Sequence, residues 1–517
     1  MERNKKIKNI LLVYPPLRKE SNDKSLPLGL LYVAASLLKE NYKVQIMDFL
    51  RYDFTAEDFI KKVQNESIDI IGIGGIATTY LFLKQITDKI KQVLPKIPIV
   101  CGGFIASSIP EYLMKRVNID YCVIGEGEYT FINLLKCLET YGDISLIRGI
   151  AYRKEDKIII TEPAEQISNL DLLPLPAYHL IDMDFYTQND SFYSKNYNEY
   201  YIRKGITKDD RVISIISGRG CIGRCTFCFR MLKKYKKHSI EFVIRHMEFL
   251  KSNYGIKIFS FIDELTLTNN SWSIQFLEKL KESNLNIVYL GQIRGDQVSD
   301  EIAKLLSETG CLNIFIGFES GNQNILNSIK KTIKISAYKK ALEILKKYNI
   351  FVRGTFIIGL PGESMATFKD TMKFILDNPY LKYVGIFFAT AYPGSELFDI
   401  ALKTQKINNI ETYLKSISDK NADSFSINFT DLPDNIFSAL HETLRIAVKI
   451  NQTKYMNSSF YNKLKICILY LYLLTSYYLN LLRIKKMILF RIPRFLIKNL
   501  LYIPLRKISE KFFYYDN

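Results

Sequence analysis

The chain has 517 residues, 48% of them hydrophobic and 24% charged. That length implies several domains, and that balance excludes wholesale disorder and collagen-like repeats. The formal net charge is +18. Residues 461–517 supply +9 of it, with eleven cations against Glu510 and Asp516. The remainder is mildly basic and requires no nucleic-acid partner.

The start, MERNKKIKNILLVYPP, has an apolar run too short for a signal peptide and without a cleavage site, so it reads as a strand. No uncharged apolar stretch of about eighteen residues stands out, which excludes a multi-span membrane protein and predicts a cytoplasmic chain. Apolar runs at 8–14, 43–48, 69–74, 97–101 and 119–124 read as buried strands. Helical patterns at 28–40, 55–66, 80–95, 109–116 and 129–140 separate or follow them. Such alternation means a doubly wound parallel sheet covered by helices on both faces, here assigned to residues 1–140.

Four loops at the carboxyl ends of these strands are rich in small residues: Tyr14-Pro15-Pro16, Gly74 to Thr79, Gly102-Gly103 and Gly125 to Glu128. Open α/β sheets bind ligands at that edge. One such loop could merely close a tight turn; four along one edge make a ligand face the better reading. No GxGxxG follows the first strand, which argues against a dinucleotide.

Residues 141–210 break the rhythm with a hairpin-like stretch, RGIAYRKEDKIIIT, and a Pro-Leu segment, and read as a linker. Alternation resumes with strands expected at 211–217, 257–262, 286–291, 312–318, 351–358 and 383–390. Six strand–helix units over 211–400 suggest a partial (β/α)6 barrel. Residues 401–460 read as a helical extension, and 461–517 as a basic hydrophobic tail.

Of eight cysteines, Cys101, Cys122, Cys137, Cys311 and Cys467 are scattered. The other three fall in Gly218-Arg219-Gly220-Cys221-Ile222-Gly223-Arg224-Cys225-Thr226-Phe227-Cys228, directly after the first strand of the second unit. With no secretory signal this is a metal or redox pattern. Zinc would need a fourth ligand. The nearby candidate, His238, is flanked by lysine and reads as solvated. Iron–sulfur clusters are held by thiolates, usually four; three on a four-iron cube leave one iron open.

CxxxCxxC with an aromatic before the last cysteine resembles the signature of the radical S-adenosylmethionine (SAM) superfamily. The resemblance implies that Cys221, Cys225 and Cys228 hold a 4Fe–4S cluster whose open iron chelates SAM, yielding a 5′-deoxyadenosyl radical. It also implies SAM contacts from Phe227, from Asp263 and Glu264 after the second strand, and from Arg294 (the SAM carboxylate) after the third. Glu319 (ribose hydroxyls) and Ser320 follow the fourth strand, and Ile358 and Gly359 lie in the adenine-contacting segment GTFIIGLPGE. The N-terminal unit, with PP, PLGLLYVAASL, GG and GEGE, resembles the cobalamin-binding domain of cobalamin-dependent radical SAM enzymes. Cobalamin would then lie against Pro15, Pro16, Thr78, Thr79, Gly102, Gly103, Glu126 and Gly127. None of the four histidines (His179, His238, His246, His441) lies within 8–140, so this domain supplies no histidine beneath the cobalt. The domain could also be a flavodoxin-like one that binds nothing.

The resemblance implies methyl transfer to an unactivated carbon, with oxidative cyclisation or rearrangement of a lipophilic substrate as the alternative. It further implies a low-potential electron donor such as a flavodoxin or ferredoxin. A non-catalytic cobalamin sensor explains neither the cysteine loop nor the second unit, and an electron-transfer protein would ligate all four irons. The tail holds an uncharged run at 466–482 and then a basic, aromatic stretch. This mix suits peripheral contact with a membrane surface or a helical cap on the barrel. Membrane contact would favour a lipophilic small-molecule substrate.

Overall fold

The computed structural model describes residues 6–17, 24–188, 201–202, 204–381 and 383–455. The tail at 461–517, with its expected membrane contact, lies outside the described residues. Among the described residues no helix is long and apolar enough to cross a membrane.

The first unit runs β1 (Asn9–Tyr14), α1 (Leu28–Lys39), β2 (Lys43–Asp48), α2 (Ala56–Asn65), β3 (Ile70–Gly74), α3 (Tyr80–Val93), β4 (Ile99–Gly102), α4 (Gly103–Ser108), α5 (Pro110–Arg116), β5 (Tyr121–Val123) and α6 (Gly127–Glu139). The sheet order is β2-β1-β3-β4-β5, and every pair is parallel. Ile10, Leu11, Leu12 and Val13 are all buried, as a strand covered on both faces requires. Because β2 and β3 flank β1, the chain reverses direction there, and a crevice opens outside the carboxyl ends of β1 and β3.

The segment expected as a linker is partly sheet. Strands β6 (Ile150–Lys154) and β7 (Lys157–Ile160) form an antiparallel hairpin that continues the first sheet beyond β5. The short β5 would otherwise present an unpaired edge, and the β6 residues Ile150, Ala151 and Tyr152 are buried against it. Helix α4 was not anticipated either; it starts on Gly103 directly after β4, where the sequence shows only a glycine turn.

The second unit begins after α7 (Met183–Thr187) with β8 (Arg211–Ile215) and the short strands β9 (Gly218–Arg219) and β10 (Lys236–Lys237). It continues with α8 (Ile240–Tyr254), β11 (Ile256–Phe261), α9 (Ser271–Glu282), β12 (Val288–Gln292), α10 (Asp300–Glu308), β13 (Cys311–Glu319), α11 (Gln323–Ser328), α12 (Ile335–Lys347), β14 (Phe351–Ile358), α13 (Met365–Asp377) and β15 (Tyr383–Phe388). The six long strands form an all-parallel sheet ordered β8-β11-β12-β13-β14-β15, a curled half-barrel with β8 and β15 as its outermost strands. Phe318, Phe356, Phe374 and Tyr338 pack between the sheet and α12 and α13, with Phe318 stacked on Phe356 at 5.5 Å. Each such buried ring contributes about 1.5–3 kcal/mol.

Helices α14 (Glu396–Lys403), α15 (Ile410–Ile417) and α16 (Asp434–Tyr455) complete the described fold. Phe437 and His441 of α16 pack on Phe388 of β15. Glu411 of α15 accepts hydrogen bonds from the Tyr80 and Tyr112 hydroxyls of the first unit, at 2.5 and 2.9 Å.

Candidate active site between the two sheets

The cysteine loop leaves the carboxyl end of β8 and is clipped at its base by the antiparallel β9–β10 pair. Gly220 has φ +81° and lies against the Lys234 carbonyl, where no Cβ could fit. The loop is pinned further up as well. The Thr226 N–H donates to the Ile329 carbonyl (3.0 Å), and the Thr226 carbonyl accepts from the Leu397 N–H (2.8 Å). Cys221 and Cys225 are half-buried and Cys228 is exposed. The Gly223 N–H donates to Cys221 Sγ at 3.3 Å. A Cβ on Gly223 would lie 3.5 Å from Cys221 Sγ, 3.8 Å from Cys225 Sγ and 3.2 Å from Arg294 Nη1, so two sulfurs and a guanidinium converge there. Desolvation raises the Cys225 and Cys228 thiols, and the Lys331 ammonium opposes it.

These residues fit a cluster: sulfur ligands in one loop, a backbone donor to sulfur, and two cations beside them. His238 differs from expectation. It is buried, with Nδ1 2.9 Å from Asp171 Oδ1 and its ring stacked on Phe242 at 4.1 Å. Burial of the apolar ring face on α8 outweighs the lysine flanks. Among the described residues no three His, Cys, Asp or Glu groups gather around a single ion position; a cube, with its sulfurs on separate irons, needs no such tight group.

The other strand ends divide into two sets. Asp263 is buried and spent on the protein: it accepts from the Ser217 N–H (3.0 Å), the Ser217 hydroxyl (2.9 Å) and Lys237 Nζ (3.4 Å). Glu264 is exposed and accepts from the Gly220 N–H at 3.1 Å. Arg294 is forked onto Asp296, with both bonds at 3.1 Å, which leaves Nη1 turned toward Gly223. Glu319 has φ +62°, a left-handed conformation costly for a side chain of its size. Its buried carboxylate accepts from Lys331 Nζ at 2.6 Å. Burial works against the Lys331 charge, but the Glu319 carboxylate outweighs it and raises the ammonium above its ordinary range.

Ser320 meets Thr371 Oγ1 at 3.2 Å. Ile358 is buried at the end of β14. Gly359 (φ +86°) gives its N–H to Glu363 Oε2 at 2.6 Å. Phe227 is half-buried against the core.

On the first sheet, Pro15 and Pro16 follow β1 at the crevice. Thr78 and Thr79 are buried in a 3₁₀ turn, with the Thr79 hydroxyl on the Ile76 carbonyl (2.8 Å) and the Thr78 carbonyl accepting from the Asp419 N–H (2.8 Å). Gly103 (φ +80°) packs on the Gly75 backbone, whereas the space beside Gly102 and Gly125 is open for 4 Å. Gly127 starts α6. Glu126 is committed elsewhere: Oε1 pairs with Arg219 and Oε2 accepts from the Ile167 N–H, both at 2.8 Å. His238, His246 and His441 bond to Asp171, Tyr178 and the Ile386 carbonyl, and none comes from the first sheet.

The two edges face each other. Phe229, next to Cys228, packs edge-on against Phe104 of α4 at 6.0 Å and against Gly394 beyond β15. Arg219, two residues before Cys221, bridges Glu126 (2.8 Å) and Glu128 (2.6 Å) and lies 5.3 Å from the Tyr32 ring centre. Arg219 and Lys331 were not singled out from the sequence, because their partners are set by tertiary packing; Arg219 stands inside the cysteine motif, but nothing local shows what it pairs with.

Residues 17–135 match the B12 binding domain family and residues 215–375 the Radical SAM superfamily. The chain is 30% identical to an uncharacterized methyltransferase of Pyrococcus horikoshii, over 77% of this chain and 84% of that protein. It belongs to the cobalamin-binding radical SAM enzymes. It is also similar to the anaerobic magnesium-protoporphyrin IX monomethyl ester cyclase of Synechocystis sp., at 26% identity over 68% of each chain. In fold the enzyme matches the cobalamin-dependent SAM radical enzyme OxsB, solved with aqua-cobalamin and SAM bound. The TM-score is 0.67 at 18% identity, over 92% of this chain and 72% of that one. The cofactors of this enzyme are accordingly a 4Fe–4S cluster, SAM and cobalamin.

Proposed function

We propose that the enzyme transfers a methyl group to an unactivated carbon of a small, lipophilic substrate held between the two sheets. The observation that carries this reading is the meeting of the two strand-end edges, with Phe229 of the cysteine loop lodged between Phe104 and Gly394. In this reading Cys221, Cys225 and Cys228 hold the cluster, and Arg294 offers Nη1 to the SAM carboxylate. Glu319, fixed by Lys331, faces the ribose, and Ile358 and Gly359 form the adenine shelf. Pro15, Pro16, Thr78, Thr79, Gly102, Gly103 and Gly127 line the cobalamin edge, while Glu126 instead ties that edge to Arg219. When bound, the cluster with SAM supplies a carbon radical and cobalamin supplies the methyl group. The protein's part is to hold these centres and the substrate in line and to exclude water.

Oxidative cyclisation is the second reading, favoured by the likeness to the magnesium-protoporphyrin cyclase. Incubation with SAM bearing a deuterated methyl group and candidate isoprenoid, fatty or tetrapyrrole substrates separates the two. Methyl transfer adds the labelled methyl to the product mass, and cyclisation leaves the product unlabelled. Contact of the tail with a membrane would bring such substrates to the enzyme, and vesicle co-sedimentation of the full chain tests it.

A further inference from the structure

The cysteine loop carries charge that the cofactor site does not use. From Gly218 to His238 there are seven cations and no Asp or Glu. Two are spent inside the fold, Arg219 on Glu126 and Glu128 and Lys237 on Asp263. Arg230 donates to the Cys221 and Lys233 carbonyls, and Lys236 to the Ile167 carbonyl. Arg224, Lys233 and Lys234 are exposed, and none of the three has an ion pair among the described residues. The cations that act on the Cys225 thiol are Lys331 and Arg294, from other elements. The three exposed cations Arg224, Lys233 and Lys234 therefore face outward, while the loop itself adjoins the cysteines: the Lys234 carbonyl lies against Gly220, next to Cys221, and the Arg230 side chain donates from Nη2 to the Cys221 carbonyl at 3.2 Å. The exposed acid Glu264 is turned onto the Gly220 N–H.

We infer that the Arg224–Lys234 face of this loop is the docking surface for an acidic one-electron carrier protein. Like-signed, unpaired charges concentrated on one surface steer an oppositely charged partner and raise its association rate by about 10–10³. The loop's closeness to the cluster sulfurs makes it a short route for an electron. One electron leaves the reduced carrier, which is oxidised by one unit, and enters the cluster, which is reduced by one unit; no bond or proton is exchanged. This inference rests on the reading that Cys221, Cys225 and Cys228 hold that cluster.

The test compares two reductants on the anaerobic holoenzyme and on its Lys233→Glu/Lys234→Glu variant, following cluster bleaching by stopped flow. One reductant is a fully reduced acidic flavodoxin, the other reduced methyl viologen, a small cation. At ~0.01 M salt, where screening reaches only beyond about 30 Å, the variant should be reduced by flavodoxin about tenfold more slowly or worse. The gap should close toward ~1 M salt, and the viologen rate should not fall. A flavodoxin rate within about twofold of the unaltered enzyme, a loss that ignores salt, or an equal slowing with viologen would each overturn the docking surface. The last would mean that the charges act on the cluster itself. If the unaltered enzyme shows no bleaching with viologen, the cluster assignment fails and takes this inference with it.

Discussion

Replacing Arg219 by methionine should be among the most damaging single changes away from the cysteines. The guanidinium side chain is 13% exposed and each of its carboxylate partners, Glu126 and Glu128, 4%. Removing it leaves two buried carboxylates without their ion-pair partner. Breaking a buried pair in this way costs about 3–5 kcal/mol, and loss of the stacking on Tyr32 adds about 0.5–2 kcal/mol. Methionine fills part of the vacated volume, so the deficit is electrostatic, not a cavity. The assay is anaerobic urea unfolding of the holoenzyme and the variant. A companion Arg219→Met/Glu126→Gln/Glu128→Gln variant, which removes the stranded charges, should recover most of the loss. If Arg219→Met unfolds within about 1 kcal/mol of the unaltered enzyme, the contact does not hold the sheets together. Failure of the triple variant to recover stability would place the cost in packing.

Two further outcomes follow from the site. The Cys221, Cys225, Cys228 triple alanine variant should lose the iron–sulfur absorption band after anaerobic reconstitution while keeping its far-ultraviolet dichroism; an unchanged visible spectrum would remove the ligand assignment. Burial pushes the Glu363 carboxyl up to about 7, opposed by the Gly359 and Leu360 N–H groups. The folded chain thus binds this proton more tightly than the unfolded one. The resulting stability is full below about pH 4.5 and is lost as pH rises through about 7, a span of about 3 kcal/mol. Glu363→Gln, which stays neutral, should flatten the fall in unfolding midpoint between pH 5 and 8; a slope unchanged by the substitution would show that Glu363 is not its source.

Much of the architecture was legible because its signals are local. Buried runs such as Ile10 to Val13 mark strands covered on both faces, and the Cys221-Cys225-Cys228 spacing marks a metal or redox pattern without reference to any other part of the chain. Only the tertiary structure decided which charges are free. Asp263 and Glu126 look like ligand-binding carboxylates in sequence, yet Ser217, Lys237 and Arg219 consume them. His238 reads as solvated beside its lysines, yet its ring is buried on Phe242. The stretch around 150–160 reads as a hairpin within a linker, yet that β6–β7 hairpin is part of the first sheet, paired with β5. The physical reason is common to all four. Periodicity and spacing report what neighbours along the chain do, whereas the fate of a buried charge or an open sheet edge depends on groups that only folding brings near, such as Glu126 and Arg219, 93 residues apart.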